Sequence, residues 1–104
     1  MEFLYRLKLI DRLIPKENWT KADEEIVSKH FQNLMLLKES NQLLLAGKTA
    51  GQDEFTIGLV IFRAESFAEA QKIMDNDPAI KGGIMTGFLQ EYNTAILNKA
   101  YKND

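Results

Sequence analysis

The chain has 104 residues, with 13 lysines and arginines, 15 aspartates and glutamates, and no cysteine. This length suits one domain built around one hydrophobic core. The net charge of −2 and the scattered basic residues predict that nucleic acid is not a partner. Without cysteine, thiol nucleophiles, disulfides and zinc–thiolate sites are excluded, and nothing indicates an oxidising compartment.

The start of the chain also bears on where the protein acts. It lacks the uninterrupted apolar region of a signal peptide. No stretch approaches the roughly 20 apolar residues that a membrane-spanning helix requires. We therefore expect a cytoplasmic protein that has no membrane partner.

The first predicted elements are a strand and a long helix. Residues 2–10 alternate on a two-residue period, which predicts a strand. Thr20, followed three residues later by Asp23, is close to a capping-box pattern and precedes a long apolar-periodic run. This pattern predicts a helix over residues 21–40.

A hairpin and a second helix come next. Two apolar segments, 43–48 and 55–62, are separated by a turn rich in glycine and aspartate, which is typical of two hairpin strands. Ser66 followed by Glu69 is a full capping-box pattern. The apolar positions behind it predict a shorter helix over residues 67–75.

The last predicted elements are a fourth strand over residues 84–92 and a short amphipathic helix over residues 94–102. The order strand, helix, strand, strand, helix, strand is typical of the ferredoxin-like α+β fold. We therefore predict one domain over residues 1–104, with an antiparallel sheet and two helices on one face of it.

Both faces of the third predicted strand are apolar. One face carries Phe55, Ile57, Leu59 and Ile61, and the other carries Val60 and Phe62. An uncovered face of this kind would leave an apolar patch of roughly several hundred Å², which soluble monomers rarely expose. We expect a homodimer packed sheet against sheet. The alternative is that the carboxyl-terminal segment folds back over this face within one chain.

His30 is the only histidine in the chain. It lies in an apolar helical stripe that comprises Ile26, Val27, Phe31, Leu34, Met35 and Leu37. One interpretation is a core residue whose ring nitrogens are both satisfied. The other is a general acid/base, in which a carboxylate on one ring nitrogen fixes the tautomer and leaves the other free to exchange a proton.

Asp77 is the candidate for that carboxylate. It precedes Pro78, and aspartate at the N-cap followed by proline at the first helical position commonly starts a short helix, here Pro78 to Lys81. Capping alone would explain Asp77, but capping and catalysis are not exclusive. The predicted catalytic residues are therefore His30 and Asp77.

Three further residues are candidates for substrate binding. Arg6 and Lys8 point outward on the first strand and would suit an anionic substrate, although solvated charges on strands are common. Trp19 would suit a planar ligand, although tryptophan more often fills a core or an interface. We predict no metal site, because a single histidine and dispersed carboxylates do not provide a ligand set.

Five segments in this order resemble the YCII-related (YciI-like) family of small dimeric ferredoxin-like proteins. The segments are His30-Phe31 with Leu34, Leu44-Leu45-Ala46-Gly47, Gly58-Leu59-Val60-Ile61-Phe62, Ser66 to Ala70, and Asp77-Pro78. The resemblance implies a dimeric α/β-barrel assembly and a cofactor-free site in which His30 and Asp77 form the active-site pair. It also implies a small aromatic or ring compound as substrate, for instance in a dehydrochlorination. Relatives of this dimeric barrel include isomerases and monooxygenases.

We therefore expect an enzyme of lyase or isomerase type, with no cofactor, acting on a small organic molecule. His30 would be the general acid/base, and Asp77 would orient it. The alternative is a non-catalytic ligand-binding or accessory dimer in which His30 is a packing residue. A cofactor-free monooxygenase that acts on an electron-rich phenol is a third hypothesis.

Overall fold

A four-stranded antiparallel sheet forms the centre of the protein in a computed structural model that describes residues 1–101. The strands are β1 (Glu2–Leu9), β2 (Leu43–Lys48), β3 (Gly58–Arg63) and β4 (Met85–Tyr92). Their order in the sheet is β2-β3-β1-β4. The helices are α1 (Lys21–Glu39), α2 (Phe67–Asp75) and α3 (Pro78–Lys81), and short 3-10 turns occupy Asp11–Leu13 and Lys16–Asn18.

The core lies between the helices and one face of the sheet. Alternate residues of β1 and β3 point to this face and pack against the helices. From the strands these are Phe3, Tyr5, Leu7, Val60 and Phe62, and from the helices Leu34, Ala70 and Met74. The predicted ferredoxin-like α+β fold is confirmed. None of the helices described within residues 1–101 combines the length and the apolar character needed to cross a membrane.

The two predicted capping boxes differ from expectation in an instructive way. Thr20 and Asp23 form the complete reciprocal box, because each side chain accepts the backbone N–H of the other residue. Ser66 accepts the N–H of Glu69, but the longer Glu69 side chain reaches back to the N–H of Glu65 instead. A short carboxylate side chain therefore closes the box that a longer one overshoots.

Two predicted segments differ from the structure, one at its start and one altogether. Strand β3 begins at Gly58 rather than at residue 55, and Phe55 lies exposed in the preceding turn. Residues 94–101 form no helix, and residue 102 lies outside the described residues. Ile96 in this segment is 92% exposed, so no apolar face is buried to stabilise a helix this short.

The face of the sheet opposite the helices, called the open face below, is not covered by any described part of the chain. It carries Leu4, Arg6, Lys8, Leu45, Leu59, Ile61 and Phe88. Leu45 and Phe88 are exposed to solvent there. The carboxyl-terminal segment up to Tyr101 leaves this face uncovered, contrary to the single-chain alternative considered above.

Gly82 lets α3 pack closely against α1. A Cβ atom at position 82 would lie 2.8 Å from the carbonyl oxygen of Pro78 and 3.1 Å from two side-chain carbons of Ile26. The first contact is with the backbone of α3 itself, and the second is with α1, so a side chain here would disturb the end of α3 and press it away from Ile26. Asp77 caps the other end of this short helix, so the packing of α3 on α1 also bears on the position of Asp77.

We expect Gly82→Ala to destabilise the protein by about 1–3 kcal/mol, since the added methyl group overpacks the contact between α3 and α1. The measurement is urea-induced unfolding at neutral pH. Lys81→Ala is the control, because it changes an exposed neighbour in the same helix and should alter stability by less than about 0.5 kcal/mol. Equal stability of the two variants would contradict the assigned role of Gly82.

Candidate active site

Asp77 is a buried carboxylate at the start of α3. It is the N-cap residue of this helix, and Pro78 follows at the first helical position. Its Oδ1 atom accepts a hydrogen bond from the backbone N–H of Ala79 at 2.9 Å. The residue is 0% exposed, so this charge depends entirely on protein groups for its solvation. The cap predicted from the Asp-Pro pattern is present.

His30 lies on the buried side of α1, next to the start of α3. It is 5% exposed, and its Nδ1 atom is 2.7 Å from Oδ1 of Asp77. The structure therefore brings together the two residues that the sequence analysis proposed as a pair. Their catalytic role stays a prediction.

Tyr5 is the third member of this cluster, and its contact with Asp77 was not predicted from the sequence. Its hydroxyl donates a hydrogen bond of 2.6 Å to Oδ2 of Asp77. Tyr5 lies on β1 between the inward-facing Phe3 and Leu7, and all three residues are buried. A phenol in a buried apolar row requires a hydrogen-bond partner, and this requirement is the signal from which the contact could have been suspected.

These contacts shift the pKa values of the two acidic groups in opposite directions. Burial alone would raise the pKa of Asp77, but hydrogen bonds from His30, Tyr5 and the Ala79 N–H outweigh it and lower this pKa below its ordinary value. Burial, followed by the negative charge of Asp77, raises the pKa of Tyr5. Asp77 is therefore ionised and Tyr5 protonated at neutral pH.

This arrangement determines which nitrogen of His30 carries the proton. An ionised carboxylate only accepts hydrogen bonds, so we assign the proton to Nδ1, which donates to Asp77. Nε2 has no hydrogen-bond partner among the described residues. Every fully buried side-chain nitrogen or oxygen in the described part of the chain has a partner, so Nε2 is not fully buried. In the neutral ring, Nε2 can therefore accept a proton from a molecule that reaches it.

An exposed aromatic ring adjoins His30. The Phe31 ring lies edge-on to the imidazole, with 5.3 Å between the ring centroids, and Phe31 is 60% exposed. Met35, one helical turn further on, is also exposed. The prediction that Phe31 and Met35 belong to a buried stripe was therefore wrong, because α1 buries a narrower strip that includes His30 and Leu34.

The structure does not bring Arg6 and Lys8 to the His30–Asp77 pair. Side chains alternate along a strand, so the inward position of Tyr5 places Arg6 on the open face, and Lys8 shares that face. Both side chains are exposed, and the guanidinium carbon of Arg6 lies 5.2 Å from the centroid of the Phe88 ring. Within one chain, the sheet separates these two cations from His30.

Trp19 lies neither at the His30–Asp77 pair nor on the open face. Its indole N–H donates a hydrogen bond of 2.7 Å to the carbonyl oxygen of Leu13, and its ring lines a surface cavity of about 270 Å³ together with Lys16, Glu24 and Gln52. Another surface cavity, of about 300 Å³, lies beside Arg63. Neither cavity is lined by His30 or Asp77.

Across residues 1–101, no three histidine, aspartate or glutamate side chains are grouped in a way that could hold a metal ion.

We expect Asp77→Asn to lower stability by about 1–3 kcal/mol at pH 7, because charge-assisted hydrogen bonds to buried donors are lost. The pKa of Asp77 is lowered from 3.8 in the folded protein, so its ionised form stabilises the fold above that pH. This stabilisation disappears as the pH falls from 3.8 through the lower folded-state pKa. The stability difference between wild type and variant should therefore shrink in acid, as measured by urea unfolding across pH.

Asp75→Asn is the matched control. Asp75 is exposed near the end of α2 and accepts a hydrogen bond from Gln71. We expect only a small change in the free energy of unfolding at pH 7, because Asp75 is exposed and away from the buried cluster. If the free energies of unfolding of Asp77→Asn and the wild type differed by the same amount down to the most acidic samples, Asp77 would not be a stabilising buried carboxylate.

Comparison with solved structures finds this fold in an enzyme. The 5-chloro-2-hydroxyhydroquinone dehydrochlorinase of Burkholderia phenoliruptrix AC1100, solved in complex with 2,5-dihydroxybenzoquinone, aligns with a TM-score of 0.68 and 23% sequence identity. The alignment covers 89% of this chain and 94% of the dehydrochlorinase chain. Among curated proteins, none matches this sequence. The profile of the YCII-related domain matches residues 11–88, which is more than half of the sequence, and the chain therefore belongs to the YCII-related family.

Proposed function

We propose that this protein is a cytoplasmic, cofactor-free enzyme that catalyses proton transfer of the lyase or isomerase type on a small organic molecule. The observation that supports this proposal is the contact of 2.7 Å between Nδ1 of His30 and the buried Asp77 carboxylate. The contact orients the ring, and it leaves Nε2 without a partner among the described residues. A histidine that served only in packing would not need a free ring nitrogen.

In this proposal His30 is the general acid/base and Asp77 orients it. Nε2 takes a proton from a C–H or O–H bond of the substrate, and the electron pair left behind forms a new double bond. In a lyase reaction, the leaving group departs with the electron pair of its own bond. In an isomerase reaction, His30 returns the proton to another atom of the substrate. The negative charge of Asp77 stabilises the positively charged ring between these steps.

A small hydroxylated ring compound is the substrate class that we propose. The structurally similar dehydrochlorinase is named for a chlorinated hydroxyhydroquinone and was solved with a dihydroxybenzoquinone. Ring hydroxyls of such compounds carry acidic protons that an imidazole can accept. The exposed ring of Phe31 beside His30 offers an apolar surface against which a planar ring can pack.

A non-catalytic ligand-binding dimer is the second candidate function. The observation that favours it is that neither of the two surface cavities described above includes His30 or Asp77, so a ligand held in either cavity would not meet the pair. This candidate function predicts ligand binding without turnover.

We expect the wild-type protein to convert at least one member of a panel of hydroquinones, with 5-chloro-2-hydroxyhydroquinone tested first. Chloride release and the absorbance of the quinone product are the measurements. His30→Gln should lower kcat by about 10²- to 10⁴-fold, because glutamine fills similar space but cannot transfer a proton.

Lys29→Gln is the matched control, since it changes an exposed neighbour on the same helix and should leave turnover unchanged. Full activity of His30→Gln would refute the proposed role of the pair. Binding of 2,5-dihydroxybenzoquinone in a calorimeter without turnover of any compound would favour the second candidate. Oxygen consumption during turnover would instead indicate a monooxygenase.

We further propose that two copies of the chain pack through their open faces to form a homodimer. Register places Leu45 opposite Ile61, and Ile61 opposite Leu4, so an apolar row crosses three strands of this face. A copy related by a two-fold axis presents the same row, which makes the surface self-complementary. Such packing would remove the exposed Leu45 and Phe88 from water.

We expect the wild type to elute as a dimer and Ile61→Glu to elute as a monomer, because a charge would be buried in the middle of the apolar row. Size-exclusion chromatography with light scattering measures this difference. Leu36→Glu is the control, since Leu36 is exposed on α1, away from the open face, and should leave the dimer intact. A wild type that is monomeric at all concentrations would contradict the proposed interface.

A further inference from the structure

We propose that Tyr5 is a positioning residue for the candidate active site: its hydroxyl fixes the Asp77 carboxylate and, through it, the ring of His30. The proposal rests on the proposed function, because positioning serves catalysis only if His30 transfers protons. Tyr5 is buried and has no contact with solvent, so it acts through Asp77 and does not touch a substrate.

The two oxygens of Asp77 accept hydrogen bonds from different donors. Oδ1 receives both the Nδ1 atom of His30 and the backbone N–H of Ala79. Among the residues that the structure describes, Oδ2 accepts a hydrogen bond from the hydroxyl of Tyr5 alone, at 2.6 Å. Rotation about the Cβ–Cγ bond moves both oxygens, so a hydrogen bond on each oxygen resists this rotation more than bonds on Oδ1 alone. The Tyr5 contact therefore helps to set the plane in which Oδ1 meets His30.

Tyr5 is held on both sides by neighbouring strands of the sheet. Strand β1 is central in the sheet, and Tyr5 pairs with Val60 on β3 and with Leu89 on β4. The ring of Tyr5 packs edge-on against Phe62, with 5.5 Å between the centroids. The hydroxyl is therefore held by a strand that is paired on both sides, whereas Asp77 precedes α3, a helix of only 4 residues.

The Tyr5 hydroxyl also acts electrostatically on Asp77. A donor on Oδ2 favours the ionised form of Asp77, and the hydrogen bond from Tyr5 contributes to lowering its pKa against the opposing effect of burial. Only the ionised carboxylate holds the proton of His30 on Nδ1 and leaves Nε2 free as a base. Loss of the Tyr5 hydroxyl should therefore change both the ionisation of Asp77 and the tautomer of His30.

Tyr5→Phe tests this inference, because it removes the hydroxyl and keeps the ring that packs on Phe62. We expect the ¹³Cγ signal of Asp77 to titrate at a higher pH than in the wild type. The ¹⁵N signals of His30, which need no assignment because the histidine is unique, should lose the pattern of a single Nδ1–H tautomer. Tyr92→Phe is the matched control and should change neither signal, since Tyr92 lies at the end of β4.

A purely structural role of the hydroxyl would lower the melting temperature of Tyr5→Phe and leave both NMR signals as in the wild type. That result would overturn the proposal. If Tyr5→Phe does not fold, 3-fluorotyrosine at position 5 replaces it as the test. Its phenol is more acidic and a stronger donor, so the titration of Asp77 should move to lower pH. A titration that does not move would again overturn the proposal.

Turnover separates this inference from the proposed function. With a substrate in hand, Tyr5→Phe should lower kcat by about 10- to 100-fold with little change in KM, because Tyr5 positions the base and does not bind the substrate. A loss confined to KM would overturn the positioning role. Changed NMR signals in a protein that turns over no compound would refute the proposed function and leave the positioning of the pair established.

Discussion

The burial of the Asp77 carboxylate is the constraint on which the arrangement of this protein depends. A charge removed from water is costly unless hydrogen bonds replace the lost hydration, and Asp77 obtains them from three separate elements. His30 contributes from α1, Tyr5 from β1, and the Ala79 N–H from α3 itself. The close approach of α3 to α1 that Gly82 permits is therefore a condition for satisfying this charge, and the same approach creates the candidate site.

The two faces of the sheet have different chemistry, and this division organises the proposed functions. The helix-covered face holds the buried cluster of His30, Asp77 and Tyr5. The open face carries an apolar row together with the cation of Arg6, which lies over the ring of Phe88. A sheet-to-sheet dimer would bury the open face and leave the helix-covered side outside the interface. Association and chemistry would then take place on opposite sides of one sheet.

Membership of the YCII-related family and likeness to a dehydrochlorinase support the fold, but they do not by themselves establish a reaction. An alignment with 23% identity that covers 89% of the chain shows how widely this order of strands and helices tolerates sequence change. A shared fold does not determine a reaction, since activity depends on the groups at a site. It is the geometry around His30 that supports proton transfer as the proposed chemistry.

The sequence by itself determined the elements and the two main residues of the candidate site. Periodicity and capping signals are local, so they located the helices to within one residue and identified His30 and Asp77 as candidates. Locality also explains the errors, because the predicted helix at 94–102 had no core to pack against within the described residues. Only the tertiary structure decided that Tyr5 meets Asp77 and that Arg6 lies across the sheet from His30. Contacts between residues 47 and 72 positions apart depend on how the elements pack, and no local pattern records that packing.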